Sequence, residues 1–354
     1  MMTRPKTAAA LFAALIALAI TMLSVADAQS GIDADPDDWT HIAGSCDTNT
    51  SGVPNNLSGI TSDASGDIFG VTNGNGSLFQ ISGTNSNQVG TAIADPNDVL
   101  TGYDTEGIAW IDSSFTPSNA DDFFAVAWER DPGNTVESGI TIVQVSPNAS
   151  GVDEITEVDK VSLQGISNGD GAGNRGLEGL AFAVDESSAT RWVFYGVKET
   201  PAALFRIVYS VPFMSATTFS QGPLDVGDAA GIVIDPSDST KGYVLTEVGV
   251  NEIIEVNLSD GTTVASAGTL SPDAGGCFIQ PEGITTEPGA GTSLNLVIAG
   301  EPSEISRFEI PSSICCSPPP PTPTPAPPTP TPTCLLYTSP SPRDATLSRM
   351  PSSA

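Results

Sequence analysis

An all-β fold made from a repeated four-stranded unit follows from three observations: a strand-head pattern that recurs five times, a composition rich in turn residues, and a scarcity of helix-forming runs. The chain of 354 residues holds 35 Gly and 29 Pro, while only 15% of its residues are charged. That composition makes many turns and few solvent-facing helices. Hydrophobic residues at 39% are enough to build a core.

The first repeat opens with LSGITSD (57–63), a Gly–aliphatic step at the head of a short strand. The apolar run DIFGVTN (67–73), the alternating run SLFQIS (77–82) and a weaker QVGTAIA (88–94) complete it. The second repeat reads TEGIAWID (105–112), FFAVAWE (123–129) and ITIVQVS (140–146), and carries an insertion that includes GISNGDGAGNRG (165–176). LEGLAFAVD (177–185), WVFYGVKE (192–199) and ALFRIVYS (203–210) form the third. AAGIVIDP (229–236), GYVLTEV (242–248), EIIEVNL (252–258) and TTVASAG (262–268) form the fourth. The fifth has PEGITTEP (281–288), LNLVIAGE (294–301) and EISRFEI (304–310), and lacks a fourth strand of its own. Residues 39–43, near the start of the mature chain, are expected to supply it.

The head glycines, Gly59, Gly107, Gly179, Gly231 and Gly283, are spaced by 48, 72, 52 and 52 residues. Three or four strands per repeat of roughly 50 residues is the blade of a β-propeller. One blade cannot bury both of its faces, so blades must pack in a ring. Five four-stranded antiparallel blades are predicted, or six if the insertion in the long interval carries another.

The flanks read differently. Residues 1–28 have the form of a secretory signal peptide: Arg4 and Lys6, then an apolar stretch from Ala8 to Ile20, then Ala26-Asp27-Ala28 as the cleavage site. The apolar stretch is shorter than the ~20 residues a bilayer requires, so no membrane span is expected in the mature chain. Residues 29–37 form an acidic leader and 38–316 the propeller domain. The Pro/Thr alternation over 317–333 is an extended spacer, after which a further domain or anchor is expected. Residues 334–354 resemble translated adaptor sequence. A secreted, periplasmic or cell-surface location follows. In that setting Cys46, Cys277, Cys315 and Cys316 favour disulfides, with three possible pairings.

The formal charge of −30 excludes nucleic acid, which requires a basic stripe. His41 is the single histidine, so multi-His zinc sites are excluded. The G-x-G-x-x-G match at 171–176 leads into a strand rather than out of one, which excludes a dinucleotide site.

The chemistry is expected at the carboxylates. Glu106, Glu178 and Glu282 begin first strands, whereas Glu129, Glu199, Glu247 and Glu301 end second strands. Antiparallel neighbours place these positions at one edge, so the glutamates gather on one face of the ring. Asn73 holds the equivalent strand end in the first repeat, and Asp170 and Asn174 precede Glu178. Two carboxylates ~6 Å apart at an effective dielectric of ~20 repel by roughly 3 kcal/mol, which favours protonation or a bound cation. Calcium, a hard ion that takes six to eight oxygens, suits such a donor set.

GLEGLAF with VKE and LFRI (176–207), DAAGIVIDP with YVLTEV and IIEVNL (228–258), and QPEGIT with VIAGEP and SRFEI (280–310) resemble the SdiA-regulated family of exported β-propellers, over about residues 55–311. The chain is also similar to esterase-like, phytase-related propellers. The resemblance implies five or six blades, an exported protein and calcium association. Ser58 and Ala230 depart from it, standing where the pattern has Glu. Two functions are therefore expected as alternatives. One is a calcium-associated interaction scaffold with a protein or cell-surface partner. The other is a calcium-dependent hydrolase of phosphate or carboxylate esters. In the second, Glu106, Glu178 and Glu282 would hold the ion and Glu199 or Glu301 would act as base. The scarcity of nearby cations (Arg130, Arg175 and Lys198) favours the first.

Overall fold

The computed structural model describes residues 40–41, 52–53, 55–74, 76–83, 88–117, 121–130, 137–167, 176–246, 252–269, 280–289, 293–301 and 304–310. All belong to one compact unit, Met1–Ser313; a second unit, Ile314–Ala354, lies outside them. The expected signal peptide, acidic leader, Pro/Thr spacer and terminal tail also fall outside the described residues.

Among the described residues, twenty strands form five four-stranded antiparallel sheets. The first strand, β1 (Thr40–His41), belongs to the last sheet. Blade 1 holds β2 (Leu57–Ser62), β3 (Ile68–Thr72), β4 (Ser77–Ser82) and β5 (Val89–Ala92). Blade 2 holds β6 (Asp104–Ile111), β7 (Asp122–Arg130), β8 (Glu137–Pro147) and β9 (Asp153–Ser167). Blade 3 holds β10 (Leu177–Phe182), β11 (Arg191–Lys198), β12 (Ala203–Ser210) and β13 (Ser215–Pro223). Blade 4 holds β14 (Gly231–Ile234), β15 (Lys241–Leu245), β16 (Glu252–Asn257) and β17 (Thr263–Thr269). Blade 5 holds β18 (Gln280–Pro288), β19 (Leu294–Glu301) and β20 (Glu304–Ile310). Helical structure among the described residues is confined to three single 3₁₀ turns, and no helix there is long and apolar enough to cross a membrane.

The six-blade alternative is not what forms. The long interval is taken up by lengthened strands, β8 of 11 residues and β9 of 15, within one blade. Blade 5 is completed by β1, which pairs antiparallel with β20 through Thr40↔Glu309 and His41↔Phe308. The expected closure from the N-terminal side is thus present, with two residues paired.

Contacts between first strands run β2 to β6, β6 to β10, β10 to β14, β14 to β18 and β18 back to β2, which closes the ring. The glycine heads explain how tightly it closes. A Cβ added to Gly59 would lie 2.5 Å from the Glu106 carbonyl oxygen, and one on Gly107 would lie 2.7 Å from that of Glu178. At Gly59, Gly107, Gly179 and Gly283 the first strands therefore meet backbone to backbone around the axis with no room for a methyl group, whereas at Gly231 the nearest atom is the Ile284 Cγ2 methyl at 3.0 Å.

The apolar core is divided among the blade interfaces. Each of five buried clusters draws residues from two adjacent blades. Along β7, Phe124 and Val126 point into the blade 1–2 cluster, while Phe123, Ala125 and Ala127 point into the blade 2–3 cluster. Successive strand residues face opposite ways. A second strand buried on both faces must be apolar throughout, which is why FFAVAW and WVFYGV read as unbroken runs.

Candidate metal centre

The glutamates at the strand heads are aimed by a backbone irregularity. In β10, Leu177 pairs with Lys198 and Gly179 with Val197, so Glu178 is the extra residue of a β-bulge. The same shift leaves Glu106 between Thr105 and Gly107, and Glu282 between Pro281 and Gly283. A bulge bends the strand and re-aims its extra side chain. Here it turns a carboxylate toward the mouth of the ring just where the following glycine lets the strands converge. β2 shifts between Leu57 and Ile60, which gives Ser58 the corresponding place.

A pocket of about 180 Å³ opens at this mouth. Of the residues predicted from sequence, Glu106, Glu178, Glu199, Glu282, Glu301 and Asn73 line it. Glu129 sits beside it, with its side chain 1% exposed. One oxygen from each of Glu129, Glu178 and Glu199 can be chosen so that all lie within 4.8 Å of one another, and the same holds for Asp104, Glu106 and Glu129. Glu247, Asp170, Asn174 and Arg175 lie outside the described residues, as do all the cysteines.

Electrostatics at the mouth are dominated by crowding. Burial pushes the Glu178 carboxyl well above the ordinary carboxylate range, with Glu106, Glu129, Glu199 and Glu282 adding repulsion. Glu178 is buried, and its Oε1 has no hydrogen-bond partner. Glu106 is raised by burial and by Asp104, Glu282 and Glu129, an effect opposed by a hydrogen bond from Ser58. Glu129 is better accommodated. Its Oε1 accepts from the Gly176 backbone N–H at 3.0 Å, and its Oε2 lies 3.2 Å from Arg130 Nη2. Gly176 is needed for this fit, because a Cβ there would come within 2.1 Å of Glu129 Cγ. Asn73 is held by its N–H donating to the Asn56 carbonyl at 2.9 Å, and Asn56 Nδ2 donates back to the Asn73 carbonyl.

Asp104, Asp228 and Gln280 also reach this face and were not anticipated. The sequence does carry a signal for them. Each stands three residues before a head glycine, at the place of Asn56 in blade 1 and Gly176 in blade 3. In blade 4, where Ala230 replaces the bulge carboxylate, Asp228 supplies an acid from that neighbouring position.

Taken together the mouth offers carboxylate, amide and hydroxyl oxygens converging on a small solvent-connected space. Such a set suits a hard divalent cation. The chain matches no protein-family model and no curated protein sequence. Among solved structures it is similar to the PQQ-bound form of aldose sugar dehydrogenase (Adh) from Streptomyces coelicolor, at 12% identity and a TM-score of 0.41, over 74% of this chain and 96% of that one.

Proposed function

We propose that this protein is a calcium-associated β-propeller that acts outside the cytoplasm as an interaction scaffold, with the cation seated at the acidic mouth. The observation that carries the reading is Glu178: a buried carboxylate with an oxygen that meets no donor, facing a pocket walled by further carboxylates. An isolated buried anion is expensive and either takes up a proton or gains a counter-ion. Calcium accepts six to eight oxygens at flexible geometry, which fits donors drawn from several blades. An ion held this way ties those blades together, so its contribution is to stability and rigidity.

A scaffold suits the surroundings better than turnover. An ester substrate of phosphate or carboxylate would bring further negative charge into this ring, and a phosphoryl transition state calls for cations. Arg130, on this face, is already engaged by Asp104 and Glu129.

Calcium titration of the purified protein tests the proposal. At a hundredfold excess over Kd the ion stabilises by about 2.7 kcal/mol, which at roughly 2–4 °C per kcal/mol raises Tm by about 5–10 °C. EGTA should reverse the shift. A melting curve indifferent to calcium and EGTA would dispose of the cation. One observation favours the hydrolase as a second reading: Glu199 and Glu301 line the same pocket as Glu178, where either could activate a metal-bound water. Chelator-sensitive turnover of an aryl ester or phosphoester would favour that reading over the scaffold.

A further inference from the structure

Two carboxylate triads meet at Glu129. Asp104, Glu106 and Glu129 form one, and Glu129, Glu178 and Glu199 form the other. Each has the spacing of a cation site, and the two are not equivalent. Arg130 Nε donates to Asp104 Oδ2 at 2.8 Å, its Nη2 contacts the same oxygen, and Nη2 also lies 3.2 Å from Glu129 Oε2. The guanidinium thus spans two members of the first triad. It stays charged at any relevant pH and offers donors in a planar fork that matches carboxylates. The second triad contains the buried Glu178, whose Oε1 has no hydrogen-bond partner.

Building on the cation reading above, we infer that Arg130 is a resident counter-ion: it fills the Asp104–Glu106–Glu129 position and restricts the mouth to a single divalent cation at Glu129–Glu178–Glu199. The backbone supports the assignment. Arg130 follows Glu129 at the end of β7 and pairs with Asp104 at the start of β6, so strand register fixes the guanidinium beside both acids. A mouth with two bare triads sharing one glutamate would hold two cations a few ångströms apart. A side-chain cation in one of them engages two of its carboxylates and removes the need for the second ion. Selectivity for one ion is therefore encoded beside the shared ligand.

Equilibrium dialysis or calorimetric titration with calcium alone tests this on the full chain. The native protein should bind one equivalent at the mouth, Arg130→Lys should also bind one, and Arg130→Gln should bind two. Two equivalents in the native protein, or one in Arg130→Gln, overturns the inference. If neither native nor Arg130→Gln protein binds calcium, the cation reading falls and takes this one with it. One equivalent in both sinks only the counter-ion role. Should Arg130→Gln fail to fold, a second pair of variants decides. Glu199→Gln should weaken calcium binding at least about tenfold, a loss of roughly 1.4 kcal/mol, while Asp104→Asn leaves affinity within about threefold. The reverse order overturns the assignment.

Discussion

Replacing Glu178 by glutamine keeps the shape of the side chain and removes its charge, and the sign of the effect should depend on calcium. Oxygens of Glu129, Glu178 and Glu199 lie within 4.8 Å of one another. At that distance and an effective dielectric of ~20, each ionised pair repels by about 3.5 kcal/mol. Protonating Glu178 relieves the repulsion. For a carboxyl whose ordinary value is 4.5, holding the proton at pH 7 costs about 3.4 kcal/mol at 1.36 per unit. That figure is the ceiling on what Glu178→Gln can return to the metal-free protein. The substitution is expected to raise the metal-free Tm, by at most roughly 7–14 °C at about 2–4 °C per kcal/mol. The same substitution deletes one ligand charge, a loss of comparable size that weakens calcium binding by roughly 300-fold. Differential scanning calorimetry in EGTA and in calcium reads both arms. A buried glutamate with a merely structural hydrogen bond behaves differently, because its loss lowers Tm in either buffer. A lower metal-free Tm for Glu178→Gln, or an unchanged calcium shift, would refute the reasoning.

The metal-free protein should also lose stability as pH rises. Glu178 and Glu106 are held above their ordinary value by burial and by neighbouring acids, so the folded state keeps protons the unfolded chain has released. The loss begins near 4.5 and continues until the elevated folded values are passed; urea melts between pH 4 and 8 in EGTA should show it, and calcium should flatten it. Gly107→Ala places a Cβ 2.7 Å from the Glu178 carbonyl oxygen, a backbone clash expected to destabilise by about 1–3 kcal/mol in chemical denaturation. Trp192→Ala empties the blade 2–3 interface, where the indole stacks on Tyr209 at 5.4 Å and donates to the Phe115 carbonyl; about 3–5 kcal/mol should be lost in the same assay. Deleting the chain through His41 removes β1 and bares β20 as an edge, so the truncated protein should melt lower and self-associate in sedimentation experiments.

Sequence alone determined the repeat and much of its meaning. The five glycine heads and the doubly apolar second strands recur because the constraint behind them recurs. Every first strand meets its neighbours at the axis, and every second strand is buried on both faces. Glu106, Glu178, Glu282, Glu129, Glu199 and Glu301 could be placed on one face because antiparallel pairing fixes which strand ends are adjacent. Only the tertiary structure decided the blade count, since a 72-residue interval is compatible with an extra blade until β8 and β9 are seen to absorb it. It also decided which oxygens converge. Register shows Glu178 as a bulge residue, and Asp104 and Asp228 join the mouth from three positions before a glycine. Arg130 reads as one charge beside Glu129 until strand pairing sets Asp104 against it. Periodicity along a chain reports which way a side chain faces. Distances between side chains from different blades exist only once the ring has closed.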